Sequence, residues 1–164
     1  MIFNNIMIDN NIMIDNHITK IQMPKYSNKL FYTSMLTAVS VLSSYYNNLF
    51  YANLRSCSIL FTSLLYWYNP IDGWRRKFDM INCNILLGYQ LFYTSFFLPS
   101  VLCKILYYAI SIIVIFCYYM ARYNGRKKNP DFYQASIWHS GIHIFGNIAN
   151  LILYDGIGKN LIGW

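Results

Sequence analysis

Two histidines stand one helical turn apart in an apolar run of this chain. In residues 135–154, ASIWHSGIHIFGNIANLILY, His139, His143, Gly146 and Asn150 recur at i, i+4, i+7 and i+11. That spacing stacks them on one side of a helix. A His-x-x-x-His pair of this kind permits three chemistries: both imidazoles hold a transition metal, one of them ligates haem, or both act as structural hydrogen-bonding groups. Upstream, Ser63 and Asp79 add a hydroxyl and a carboxylate. A P-loop, a dinucleotide fingerprint and a Gly-x-Ser-x-Gly elbow are all lacking.

The elements that must position these groups are apolar. Residues AVILMFWYC make up 56% of the 164, and charged residues 12%; an ordinary soluble domain carries about 25% charged residues. The mean hydropathy is +0.29. Aromatics reach 19%, with 16 tyrosines, which suits interfacial belts. Five apolar stretches are expected, at 30–48, 54–69, 80–98, 100–121 and 132–154, against the roughly 20 residues that cross a ~30 Å hydrocarbon core; the second is short for a span, and the first two share a cramped hairpin. The breaks carry turn chemistry: Asn47-Asn48 to Arg55, Asn69-Pro70-Ile71-Asp72-Gly73, Pro99-Ser100, and Asn124-Gly125 to Asn129-Pro130. The fold class that follows is all-α, a polytopic integral membrane helix bundle of about five transmembrane helices spanning 28–164.

Residues 1–27 read differently. NNIMID occurs at 4–9 and again at 10–15, and Asp9 and Asp15 interrupt any continuous signal-peptide core. A low-complexity cytosolic tail is expected there.

The basic residues set the orientation. Lys20, Lys25 and Lys29 precede the first span; Arg75, Arg76 and Lys77 separate the second from the third; Arg122, Arg126, Lys127 and Lys128 separate the fourth from the fifth. With five spans these clusters share one side, as the positive-inside rule requires of a cytosolic N-terminus and a non-cytosolic C-terminus. The same rule accounts for the net charge of +7, so nucleic acid is not expected as a partner. The expected partners are the lipid bilayer and other membrane helices or a second copy of the chain. Cys57, Cys83, Cys103 and Cys117 form no CxxC pair, which points to neither a zinc ribbon nor a disulfide framework.

Each span carries a small or polar stripe suited to close helix packing: Thr33, Thr37, Ser40 and Ser44; Ser56, Ser63 and Trp67; Asp79, Asn82, Tyr89 and Tyr93, with Gln90 beside them. The topology brings Ser63, Asp79, Ser136, His139 and His143 to the cytosolic half, and ionisable groups at membrane depth point to function. Asp79 is expected to pair with Ser63, His139 or a nearby arginine.

On these residues the chain resembles the superfamily of membrane hydrolases and receptors that includes alkaline ceramidases and the progestin and adipoQ receptors. Ser63-Leu64-Leu65-Tyr66-Trp67 looks like that family's serine with a histidine four residues on. Arg75-Arg76-Lys77-Phe78-Asp79 looks like its aspartate at the start of span three, and Ala135-Ser136-Ile137-Trp138-His139 like its final His-x-x-x-His. The stretch from Tyr66 to Arg76 also looks like small uncharacterised multi-pass proteins of large DNA viruses and protists. The resemblance implies a zinc-dependent hydrolase of lipid amides, with zinc on His139, His143 and Asp79 and with Ser63 and Asp79 in catalysis. The chain departs from the pattern at two places. Trp67 stands where the family's first histidine would be, and Ala135 where its second would be, although His143 restores the spacing one turn later. A catalytic zinc needs about three protein ligands and an open position. Without the first histidine, the leading expectation is a membrane protein without catalysis or cofactor, packing or scaffolding through its polar helix faces.

The orientation is testable. A reporter fused after Lys29 or within 124–129 is expected to read cytosolic, and one after Trp164 non-cytosolic; both termini on one side would mean an even number of spans.

Overall fold

The computed structural model describes residues 26–70 and 73–162. The tandem hexamer at 4–15, Lys20, Lys25, Ile71-Asp72 and Trp164 lie outside them. Among the described residues the chain is helical, with no strand. Its elements are α1 (Ser27–Met35), α2 (Thr37–Tyr46), α3 (Phe50–Tyr68), α4 (Trp74–Phe92), a 3-10 turn (Thr94–Phe97), α5 (Val101–Arg126) and α6 (Phe132–Ile162).

α1 and α2 are one bent rod. Leu36 between them keeps right-handed helical angles, and the Thr33 and Ser34 hydroxyls both donate to the Leu30 carbonyl, at 3.1 and 2.8 Å. Hydroxyls bonding back to the preceding turn bend a helix. The five expected stretches thus each coincide with a helical rod, but their limits shift. The third begins at Trp74 rather than 80 and stops at Phe92, leaving the segment before Pro99 as a 3-10 turn. The first turn is shorter than Asn47 to Arg55, because Asn48 takes a left-handed φ of 56° and α3 restarts at Phe50; asparagine tolerates that conformation. Ser100 accepts from the Cys103 amide to cap α5, and Asp131 accepts from the Gln134 amide to start α6, both directly after a proline.

The α5–α6 pair makes the most extensive helix contact. α3 packs on α1, α2 and α4, and α6 packs on α1 and α2, while α4 leans on α3 and the 3-10 turn without comparable packing against α5 or α6. Two apolar clusters close the ends. Leu30, Tyr66 and Trp67 meet at one, and Ala52, Leu98, Tyr107, Ala149, Leu153 and Tyr154 at the other.

The distribution of side chains is inverted relative to a soluble domain. Fully or nearly fully buried residues include Ser34, Ser40, Ser44, Ser56, Ser63, Ser95 and Ser136, whereas Leu42, Phe61, Ile85, Leu102 and Ile112 are exposed. Among the described residues one helix, α5, is long and apolar enough to cross a membrane, and only 22% of its apolar stretch is buried within the bundle. A core helix of a soluble protein would be mostly covered.

Small residues set the distance between α6 and the α2–α3 turn. A Cβ on Gly158 would overlap the Asn47 side chain, its own Cβ included at 2.7 Å, whereas one on Gly146 would meet open space. Gly158→Ala is therefore expected to destabilise the detergent-solubilised protein by about 1–3 kcal/mol through overpacking. Gly146→Ala should stay within about 0.5 kcal/mol or gain stability. Unfolding followed by circular dichroism distinguishes the two, and equal effects would refute the close approach.

Candidate functional site

The Asp79 carboxylate sits one turn into α4, facing the upper part of α3. It is 9% exposed, and its Oδ1 accepts from the hydroxyls of Thr62 at 3.0 Å and Ser63 at 2.8 Å. Asn82, three residues on, extends the cluster: its amide donates to Ser58 at 3.0 Å and to Thr62 at 3.1 Å. The expected Asp79–Ser63 pairing is thus present. The arginine one turn earlier takes no part, since the Arg75 guanidinium lies 5.7 Å from the centre of the Trp74 ring.

The histidines occupy the facing helix. His143 Nε2 and the Ser34 hydroxyl are 3.1 Å apart, joining α6 to α1. Asn147, one turn below, accepts from Ser40 in a short hydrogen bond, and Asn150 donates to the same Ser40 oxygen at 3.2 Å. His139 lies above, its ring centroid 5.3 Å from that of His143 and 5.0 Å from Trp67 in an edge-on arrangement. Trp67 is therefore packed directly on His139. Trp67 is 3% exposed, and its indole Nε1 is a buried donor with no hydrogen-bond partner among the described residues.

Between the two apolar ends lies a cavity of about 130 Å³, with Ser63, Cys83, Gln90, Ser111, His143 and Asn150 among its walls. Its depth matches the topology, since α2, α3, α4, α5 and α6 each contribute to the lining. At the lower end Tyr154 joins three helices, with its hydroxyl 2.9 Å from Ser56 Oγ and 2.9 Å from Gln90 Nε2.

These contacts bring some expected residues together and separate others. Ser63 and Asp79 meet, and Ser63 and His143 line one cavity. His139, His143 and Asp79 do not form a ligand set: among the described residues no group of three or more His, Cys, Asp or Glu is placed to hold a metal ion. Zinc does not fit this arrangement, because three protein ligands must converge at ~2.0–2.2 Å. The third stripe is also corrected. Tyr89 and Tyr93 are exposed, since a 100° step per residue puts Gln90 rather than Tyr89 on the face of Asp79; Tyr89 instead receives the Arg55 guanidinium at 4.2 Å. Ser34, Asn147, Thr62 and Tyr154 were not singled out in the sequence. Asn147 follows His143 by four residues and was recoverable from that spacing.

Comparisons with family models, with curated proteins and with solved structures each returned no match.

The Asp79 cluster yields a graded expectation. Asp79→Ala leaves the Thr62 and Ser63 hydroxyls without their acceptor and is expected to cost about 1–3 kcal/mol. Asp79→Asn keeps an acceptor oxygen in place and should cost less. Chemical unfolding of the two variants in the same detergent reads the difference, and equal stability of Asp79→Ala and the parent would show that the cluster does not hold α3 to α4.

Proposed function

We propose that this chain is a five-span integral membrane protein, N-terminus cytosolic and C-terminus non-cytosolic, that packs or scaffolds within the bilayer through its polar helix faces. The observation that carries the reading is the side-chain distribution: many hydroxyls, amides and a carboxylate inside, and most of the large apolar and aromatic residues outside. In water this arrangement gives up most of the hydrophobic driving force. In hydrocarbon it is favourable, because lipid solvates the apolar surface and each polar group needs an internal partner. The partners in this reading are the bilayer and other membrane helices or a second copy of the chain.

A second reading is favoured by one specific contact. Ser63, with the Asp79 carboxylate at 2.8 Å, lies on the wall of the cavity that His143 also lines. A hydroxyl held by a base near an imidazole is an arrangement that nucleophilic catalysis uses, and it accords with the resemblance to membrane hydrolases of lipid amides. The tryptophan beside His139 and the separation of Asp79 from the histidines weigh against it.

Metal analysis and an amide-hydrolysis assay on the detergent-purified chain separate the readings, after alkaline carbonate extraction has tested membrane integration. The expected outcome is retention in the membrane pellet, zinc far below one per chain, and no hydrolysis of ceramide-like amides. About one zinc per chain, lost in His139→Ala or His143→Ala, would overturn the scaffold reading in favour of the hydrolase.

A further inference from the structure

The distal part of α5 carries a groove that the interior networks leave unused. It has a volume of about 540 Å³ and is lined by Ile115, Tyr118, Tyr119, Arg122, Tyr123, Arg126 and Lys127. The lining runs along one face of the helix: Ile115, Tyr118 and Tyr119 first, then Arg122, Arg126 and Lys127 with Tyr123 among them, over roughly 18 Å at 1.5 Å per residue. Arg122 Nη1 donates to the Tyr118 hydroxyl at 3.1 Å, which draws the guanidinium toward the aromatic level, with its carbon 5.5 Å from that ring centre. Tyr119 and Tyr123 stack with ring centroids 6.5 Å apart and 15° between planes. Lys127 donates to the Asn124 side chain at 3.3 Å.

The cations of this groove have no acid among the described residues. Asp131 is the acid next in sequence, its backbone amide bonded to the Asn124 carbonyl, and its carboxylate accepts from the Gln134 amide at the start of α6. Three positive charges in a row therefore stand without a counter-charge, at the end of an apolar helix, above a ladder of tyrosines.

We propose that this groove binds an anionic glycerophospholipid of the cytosolic leaflet, its phosphate held by Arg122, Arg126 and Lys127 and the start of one acyl chain lying along Ile115, Tyr118 and Tyr119. The amphiphilic lining selects this occupant. A polyanion such as nucleic acid, or an acidic peptide in water, matches the cations and leaves the tyrosine and isoleucine part of the groove unfilled. A lipid standing parallel to α5 fills both parts. Basic juxtamembrane groups attract anionic headgroups, and guanidinium groups bind phosphate oxygens in a forked geometry. The inference rests on α5 lying in the bilayer with its basic end cytosolic, as proposed above.

The test uses the full chain in detergent, titrated with dioleoyl phosphatidylglycerol or dioleoyl phosphatidylcholine and followed by native mass spectrometry. Preferential retention of phosphatidylglycerol is expected. The preference should fall about five-fold for each charge removed in Arg122→Gln, Arg126→Gln and Lys127→Gln. Arg122→Lys with Arg126→Lys should retain part of it, and the pair Arg75→Gln, Lys77→Gln on α4 should leave it intact. Inorganic phosphate at millimolar concentration should not displace the lipid. Equal retention of the two lipids, equal loss in the α4 variants, or displacement by a short oligonucleotide would each overturn the proposal. An unchanged melting profile in the singly substituted variants excludes misfolding as the cause of a loss. Co-flotation of the parent chain with pure phosphatidylcholine vesicles reads membrane integration separately, so failure of the membrane reading is distinguishable from failure of the lipid site.

Discussion

A hydroxyl or amide buried where water does not reach must find its hydrogen-bond partner on the same helix or the next one, and that requirement ties the α1–α2 rod, α3, α4 and α6 together. The cost of leaving such a group unpaired, about 1–3 kcal/mol in mutational data, is comparable with what a buried aliphatic side chain contributes. α6 is joined to the α1–α2 rod through His143 with Ser34 and through Asn147 and Asn150 with Ser40. Tyr154 joins α6 to α3 and α4 by accepting from Gln90 and pairing with Ser56. α4 is joined to α3 higher up through Asp79 and Asn82. Small serine side chains at the crossings let the backbones approach closely enough for these bonds to form. The apolar clusters at the two ends then close the bundle around its polar middle.

The helical character and the five rods were legible because apolar runs and their proline, glycine and asparagine breaks are local signals. So was the Asp79–Ser63 pair: a residue near the end of one rod and another near the start of the next must lie at similar depth when the connection between them is short. Phase was less legible. The face of the first rod that is buried runs through Leu30, Ser34, Thr37, Ser40 and Ser44, so Thr33 was assigned in place of its neighbour Ser34. Tyr89 and Tyr93 share the polar stripe by spacing, yet both are exposed. Tyrosine carries an apolar ring with a polar tip, and at the end of an exposed helix both parts are satisfied facing outward.

The candidate site shows a sharper limit of the same kind. Sequence spacing places His139 and His143 on one face, and the structure agrees, with both rings in contact across one turn. Spacing says nothing about which side chain of another helix stands opposite. That position is held by Trp67, whose bulk covers His139 while its indole N–H goes unpaired among the described residues. Asp79 is likewise engaged by hydroxyls of its own neighbour helix, which leaves the imidazoles on the other side of the cavity.

The uneven attachment of α4 has a dynamic consequence. Every other rod is flanked by extensive packing, whereas α4 rests on α3 and the 3-10 turn and touches α5 near its end, where the Tyr108 hydroxyl donates to the Leu91 carbonyl at 3.3 Å. Local opening free energies follow the density of buried contacts around an element. α4 is accordingly the rod whose backbone amides exchange soonest. Its outward excursion would unzip the Asp79 and Gln90 bonds at its two ends in sequence and widen the cavity that Ser63, Gln90 and His143 line.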